Sequence, residues 1–312
     1  MQLGIVGLPF SGKSTLFQAV TKTHLDPSAS AKTGAHLGIA KVPDERLDRC
    51  AALFSPKSTV RATIEFVDVA GLNKGASGTA QFTTGFLAAV KSNDALIQVV
   101  RLFQDDAVPH PDGGIDPLRD VATFETEFIL GDMAVIESRL EKIHKQLGRL
   151  PDEHMKKELP VLEKCLAFLQ AEKPLRNEDL SKDELFILKT YQLLSLKPML
   201  IALSFDESQQ KVVEAEVSRV AAAKAGARTR VVAFFGKIDM EMSELSGEDA
   251  RAFMAEYGIR ESALDTLIRE AYALLGLQSF LTVGEDECRA WTIRAGMTAQ
   301  EAAGVIHSDF AQ

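Results

Sequence analysis

Short apolar runs punctuate the chain at spacings that suit buried strands. Leu3–Val6, Thr63–Val69, Ala95–Leu102, Met199–Phe205 and Arg230–Phe235 are the clearest. Near-continuous apolar character is the mark of strands covered on both faces. Helical spacing lies between them. Leu16, Phe17 and Val20 follow the first run, residues 79–92 follow the second, and 208–225 precede the last. Strands alternating with helices predict an α/β fold with a mostly parallel sheet flanked by helices. Residues 21–38 show no period and carry Pro27, Ser28, Ser30, Gly34 and Gly38, which reads as a loop.

From about residue 119 to 195 the pattern changes. Ile129, Met133, Ile136, Leu140, Ile143 and Leu147 form a heptad seam. Gly148 and Pro151 break it, and Leu159, Leu162, Leu166 and Leu169 repeat the spacing on the return. So narrow a stripe predicts an antiparallel α-helical hairpin inserted into the α/β domain, because helices lying on a sheet carry a broader apolar face. A last unit begins near Leu277, with Arg289–Ile293 as a strand and Thr298–Ile306 as a helix N-capped by Thr298. The expected organisation is an α/β domain in two parts, 1–128 and 196–276. The hairpin occupies 129–195, and the unit at 277–312 is too short for a core of its own.

Composition narrows the function classes. The net charge of −9 argues against a chain that coats nucleic acid by general electrostatics, and no DNA partner is expected. No apolar run is long enough for a membrane span, and the N-terminus lacks the basic region and cleavage site of a signal peptide. Three cysteines, Cys50, Cys165 and Cys288, form no paired motif, which fits a reducing cytoplasm and gives no zinc site.

The strongest chemical signal is Gly7-Leu8-Pro9-Phe10-Ser11-Gly12-Lys13-Ser14, a Walker A phosphate-binding loop between an expected strand and helix. Its glycines let main-chain N–H groups wrap a phosphate at the helix N-terminus. Pro9, Phe10, Ser11, Gly12 and Thr15 are expected to line the nucleotide, with Lys13 reaching the β- and γ-phosphates and Ser14 holding Mg²⁺. Asp68 ends the strand Thr63–Val69, where such enzymes place an acid for the Mg²⁺ shell, and the Gly71 N–H can meet the γ-phosphate. Leu72 stands where Ras-like GTPases carry the glutamine that orients water, and an aliphatic chain cannot do this.

Base choice normally rests on Asn-Lys-x-Asp after a later strand. Here that strand leads into Ser204-Phe205-Asp206-Glu207, without Asn or Lys and with Glu in the Asp position. Phe205 can stack on a base but cannot read its edge, and Gly236 lies where a backbone N–H meets guanine O6. The inference is a loss of guanine selectivity.

These segments carry a resemblance. The loop GLPxxGKST, Phe66–Leu72 with Lys74-Gly75-Ala76-Ser77, Arg289–Ile293 and Gln300–Phe310 resemble the YchF-type subfamily of Obg-related P-loop NTPases. The resemblance spans nearly the whole chain. It implies a P-loop NTPase G domain, a helical insertion and the start of a TGS (β-grasp-like) domain, which in the family continues well beyond Gln312. It further implies hydrolysis of ATP in preference to GTP through an Asn-x-x-Glu base motif, and association with ribosomes. Glu207 matches the family Glu, whereas Ser204 departs from its Asn. His110 aligns with a histidine that the family proposes as a catalytic aid, although its Pro- and Asp-rich loop reads on its own as surface. Thr33 is the expected Mg²⁺-sensing threonine. Phe10-Ser11 replaces the usual Asn-Val.

The expected function is therefore a Mg²⁺-dependent ATPase switch with a ribosome or ribosomal RNA as partner. Arg139, Lys142, Lys145, Arg149, Lys156 and Lys157 at the hairpin tip offer a basic patch for rRNA phosphates, although a solvated helical face explains them about as well. Two alternatives stand beside it: a nucleotide-binding interaction module with negligible hydrolysis, and a guanine-specific GTPase of the Obg class that binds GTP.

Overall fold

A computed structural model describes residues 1–23, 35–69, 73–74, 80–147, 152–224, 226–245, 247–256 and 261–311. In chain order the elements are β1 (Gln2–Gly7), α1 (Lys13–Thr21), β2 (Ala35–Lys41), α2 (Glu45–Phe54), β3 (Ser58–Val60), β4 (Thr63–Val69), β5 (Asn73–Lys74) and β6 (Ala80–Gln81). Next come α3 (Thr84–Lys91), β7 (Ala95–Arg101), α4 (Pro117–Leu147), α5 (Glu153–Gln170), α6 (Lys182–Leu188), β8 (Met199–Phe205) and α7 (Val213–Ala223). The chain continues through β9 (Thr229–Phe235), α8 (Gly236–Glu244), α9 (Gly247–Glu256), α10 (Ala263–Leu274), β10 (Leu277–Val283), β11 (Glu287–Arg294) and α11 (Ala299–Ile306).

The main sheet has six strands in the order β2-β4-β1-β7-β8-β9. Every pair is parallel except β2–β4. β7 and β8 are buried at every position, as their unbroken apolar runs require. One core gathers Leu3, Ile5, Leu16, Phe17, Leu267 and Ile268, and a second gathers Val6, Phe86, Phe124, Phe128 and Leu203. The strand order reverses at β1, with β4 on one side and β7 on the other. Ligands of open α/β sheets bind at the crevice beyond such a point.

Two expectations need correction. The loop read over 21–38 gives way to strand β2 from Ala35, an edge strand with Leu37 and Ile39 exposed on one face. The helix read over 79–92 is shorter: Ala80–Gln81 pairs with Asn73–Lys74, and the helix starts at Thr84, capped by the Thr83 side chain.

α4 and α5 form an antiparallel hairpin with its own apolar core. Ile129, Ile136, Leu140 and Ile143 face Val161, Leu162, Cys165 and Leu169. The return seam is phased differently from the heptad reading, with Leu159 and Leu166 only partly buried. Glu158 takes an inner position because Arg139 of the facing helix meets it with two hydrogen bonds, of 2.9 and 2.7 Å. A polarity pattern alone does not assign a Glu to a seam. α4 is continuous across this change of role: Phe124 and Phe128 pack on the sheet, and Ile129 begins the hairpin core. Buried Asp132 fixes the exit by accepting from the Leu194 and Ser195 N–H groups at 2.8 and 2.7 Å.

The basic patch at the hairpin tip is largely ion-paired. Besides Arg139–Glu158, Lys145 pairs with Glu141 and Lys156 with Glu153, while Arg149 lies outside the described residues.

At the C-terminal end β10 and β11 pair antiparallel, and β11 adds in parallel to β3. Leu277, Cys288 and Ala290 enter the same core as Leu3 and Leu16. Thr298 caps α11, with Glu301 completing a capping box. Among the described residues no helix is long and apolar enough to cross a membrane.

Candidate functional site

The phosphate-binding loop lies between the end of β1 and the start of α1, at the crevice where the strand order reverses. α1 opens without a side-chain N-cap and without an acidic residue in its first turn. A helix start normally recruits such partners for its free N–H groups. Left without them, the amides and the positive end of the helix dipole suit an anion. Gly12 sits at φ +100°, and a Cβ added there would lie 3.2 Å from Ser204 Oγ. Only glycine suits this position.

Lys13 Nζ donates to the Leu8 carbonyl at 2.8 Å. Burial lowers its pKa from 10.5 to about 8, with the Asp68 charge acting in the opposite direction. Asp68 is buried at the end of β4, directly across from Ile5 in β1. Burial raises its pKa, while Lys13 and the Ser14 hydroxyl oppose the rise. Ser14 Oγ donates to Asp68 Oδ2 at 3.3 Å. The pair offers hard oxygen donors of the kind Mg²⁺ takes. Among the described residues no cluster of three or more His, Cys, Asp or Glu gathers to hold a metal. P-loop NTPases generally use Mg²⁺, and it is usually held by few protein ligands, with water and phosphate completing its shell.

Two compartments adjoin. One of about 330 Å³ is lined by Phe10, Ser11, Gly12, Lys13, Ser14 and Thr15, together with Phe103, Asp105 and Val108. The other, of about 900 Å³, shares Gly12, Thr15, Phe103 and Asp105 and extends along Ser204–Ser208 and Phe235–Ile238. The sizes and linings suit a polyphosphate in the first and a nucleoside in the second.

Most of the expected residues come together here, with three qualifications. Phe205 is only 2% exposed, and its ring packs against Phe235 at 6.1 Å between centroids. It therefore belongs to the core and is not a stacking surface for a base. The half-buried aromatic that meets both compartments is Phe103, which lies just beyond β7 and carries no motif to mark it. His110 does not line either compartment. Its side chain is 5% exposed, which overturns the surface reading. The ring bonds Asp120 Oδ2 through Nε2 at 3.0 Å and accepts the Asp112 N–H at Nδ1. Thr33, Gly71 and Leu72 lie outside the described residues.

Phe10 departs from ordinary backbone geometry. Its φ is +61° and its side chain stands 64% exposed on the lip of the phosphate compartment. The left-handed region is unfavourable for a bulky residue. Sequence reasoning also missed Asp239. This buried carboxylate accepts the Phe235 N–H at 2.7 Å and fixes the turn that carries Gly236. Burial pushes its pKa up to about 6.

Comparison with known proteins fits this geometry. Residues 2–147 match a family model described as MMR_HSR1, 50S ribosome-binding GTPase. Residues 277–312 match one described as YchF-GTPase_C, protein of unknown function (DUF933). The chain is 39% identical over 311 residues to the ribosome-binding ATPase YchF of Bacillus subtilis (strain 168), covering 98% of this chain and 85% of the relative. It is 38% identical over 310 residues to the protein of the same name from Escherichia coli O157:H7, again covering 98% and 85%. The solved structure of the Schizosaccharomyces pombe YchF GTPase superposes with a TM-score of 0.83 at 32% identity, over 99% of this chain and 84% of that one. With a P-loop at the reversal point of its sheet and this degree of identity along nearly its whole length, the chain belongs to the YchF family.

Proposed function

We propose that the chain is a Mg²⁺-dependent ATPase that works with the ribosome as a nucleotide-gated switch. The observation that carries this is the uncapped start of α1 with Lys13 beside it, opening into a groove long enough for a nucleoside. The relatives' names, ribosome-binding ATPase, supply the nucleotide and the partner. A ribosomal partner implies a cytoplasmic location.

In this reading the loop amides and Lys13 bind and orient the β- and γ-phosphates. Ser14 and Asp68 would hold Mg²⁺, which supplies charge neutralisation on the transferred phosphoryl group when bound. By sequence position, the Gly71 N–H would meet the γ-phosphate and Thr33 would be a further ligand for the cation. Ser204, Glu207 and Gly236 border the base. Without the Asn, Lys and Asp of the guanine-specific set, Ser204 and Glu207 imply a loss of guanine selectivity, and the preference for ATP rests on the relatives' names. Leu72 orients no water. Both His110 ring nitrogens are engaged in holding its loop, and a part in the step would require one of these bonds to open. Turnover then relies on the substrate's own phosphate or on a group from the partner.

Leu72 and the altered Phe10-Ser11 lip, with Phe10 at φ +61°, favour a second reading, a nucleotide-binding module with negligible hydrolysis. Ribosome cosedimentation tests the switch. Binding is expected to differ between ADP and a non-hydrolysable ATP analogue for the parent, and to lose that difference in Lys13→Ala. Equal sedimentation in both nucleotides for the parent contradicts the switch.

A further inference from the structure

The wall of the base compartment is made from two loops that leave different strands, and one side chain joins them. Residues 102–106 follow β7, and 204–208 end and follow β8. Phe103 and Asp105 from the first and Glu207 from the second line the groove. The Leu102 and Phe103 N–H groups both donate to the Ser204 carbonyl, at 2.8 and 3.1 Å. Gln209 completes the join from behind the wall. Its Nε2 donates to the Leu102 carbonyl at 2.9 Å, and its Oε1 accepts the Asp206 N–H at 2.9 Å. Asp206 accepts in turn from the Ser208 N–H at 2.7 Å and its hydroxyl at 2.6 Å, closing the short turn that carries Glu207. Beneath the same wall, the Arg101 guanidinium lies 4.5 Å from the Phe103 ring centroid and donates to the Phe103 carbonyl.

Resting on the nucleotide reading of this groove, we infer that Gln209 is a positioning residue for the base. A carboxamide offers a donor and an acceptor in fixed geometry. Here the donor holds the β7 loop and the acceptor holds the Glu207 turn. Gln209 thereby sets the distance between the two walls. A base entering a preformed slot avoids the cost of ordering those loops. The phosphates are gripped elsewhere, by the loop before α1, so the two effects separate.

Gln209→Glu keeps the length and the acceptor but turns a carboxylate oxygen toward the Leu102 carbonyl, and Gln209→Met removes both bonds. Each variant is expected to bind Mg-ATP about tenfold more weakly, ~1.4 kcal/mol. Inorganic tripolyphosphate, which has no base, is expected to stay within about twofold of the parent. Amide hydrogen exchange, measured without nucleotide, is expected to accelerate at Phe103 in both variants and at Asp206 in Gln209→Met, which alone loses the acceptor. Unchanged ATP affinity, equal losses for ATP and tripolyphosphate, or unchanged exchange each overturn the inference. A parent that binds neither ligand removes the nucleotide reading itself, and the base-positioning role with it. Faster exchange would then leave Gln209 as a structural clip alone.

Discussion

Lys13 Nζ donates to the Leu8 carbonyl across 2.8 Å, folding the charged side chain back onto its own loop. Burial there makes the ammonium easier to deprotonate, down to about 8, and Asp68 keeps the pKa from falling further. A phosphate placed among the loop amides would do the opposite and favour the ammonium.

Nucleotide affinity is therefore expected to fall in mildly alkaline solution. Above about pH 8 binding must take up a proton at Lys13, and affinity drops by up to about tenfold per pH unit. Below that pH the lysine is already charged and the profile is flat. Folding stability carries the opposite sign. The folded pKa lies below the ordinary 10.5, so the unfolded chain binds more protons in that window and stability rises with pH across it. Calorimetric ATP titrations from about pH 7 to 9.5 check the binding profile. An alkaline fall of equal slope in Lys13→Met contradicts the assignment.

The Ser14–Asp68 contact predicts a selective loss. Asp68→Asn keeps the shape but removes the negative charge that a divalent cation requires. The gain in ATP affinity given by Mg²⁺ is expected to shrink by about tenfold or more, while affinity in EDTA stays near the parent value. Paired titrations with Mg²⁺ and with EDTA read this directly. An undiminished Mg²⁺ response would remove Asp68 from the cation site.

Ser11 is buried in the loop where the family usually has valine, and its hydroxyl has no hydrogen-bond partner among the described residues. An unpaired buried hydroxyl costs about 1–3 kcal/mol. Ser11→Ala is expected to stabilise the chain by about 1 kcal/mol in urea unfolding without weakening ATP binding. A clear loss of affinity would show that the hydroxyl serves the ligand.

At the hairpin, Glu158 is almost fully buried against Arg139. Arg139→Ala strands a buried carboxylate and is expected to cost about 3 kcal/mol or more of stability. The exposed pairs Lys145–Glu141 and Lys156–Glu153 are screened by solvent and contribute little. Thermal unfolding of the alanine variants ranks them, and an Arg139→Ala loss no larger than that of Lys145→Ala contradicts the buried-pair account. A ribosome-binding defect in Arg139→Ala would report damaged folding as much as a lost contact. Lys142 is the better probe of the tip.

The P-loop was legible because its chemistry depends on local backbone, and the central strands because double burial writes an unbroken apolar run. β2 was not. Gly38 looks like a loop marker, but it is there because a Cβ would lie 2.4 Å from Thr21 Cγ2, a packing constraint set by α1. Phe205 was read as a stacking ring because its neighbours in sequence form a ligand loop. It is the last residue of β8, a strand buried at every position, and its ring packs against Phe235 in the core. Gln209 carried a local signal only for its bond to Asp206, a capping box of sequence-readable spacing, while its other partner, the Leu102 carbonyl, lies 107 residues away. Residues that read phosphates announce themselves in sequence, and residues that hold walls in place do not.

Single-turnover hydrolysis of ATP with Mg²⁺ and protein in excess, for the parent and Lys13→Ala, tests the ATPase assignment most directly. The parent is expected to convert the nucleotide, with the variant slower by about a hundredfold or more. Equal rates would contradict the role given to the loop and its lysine.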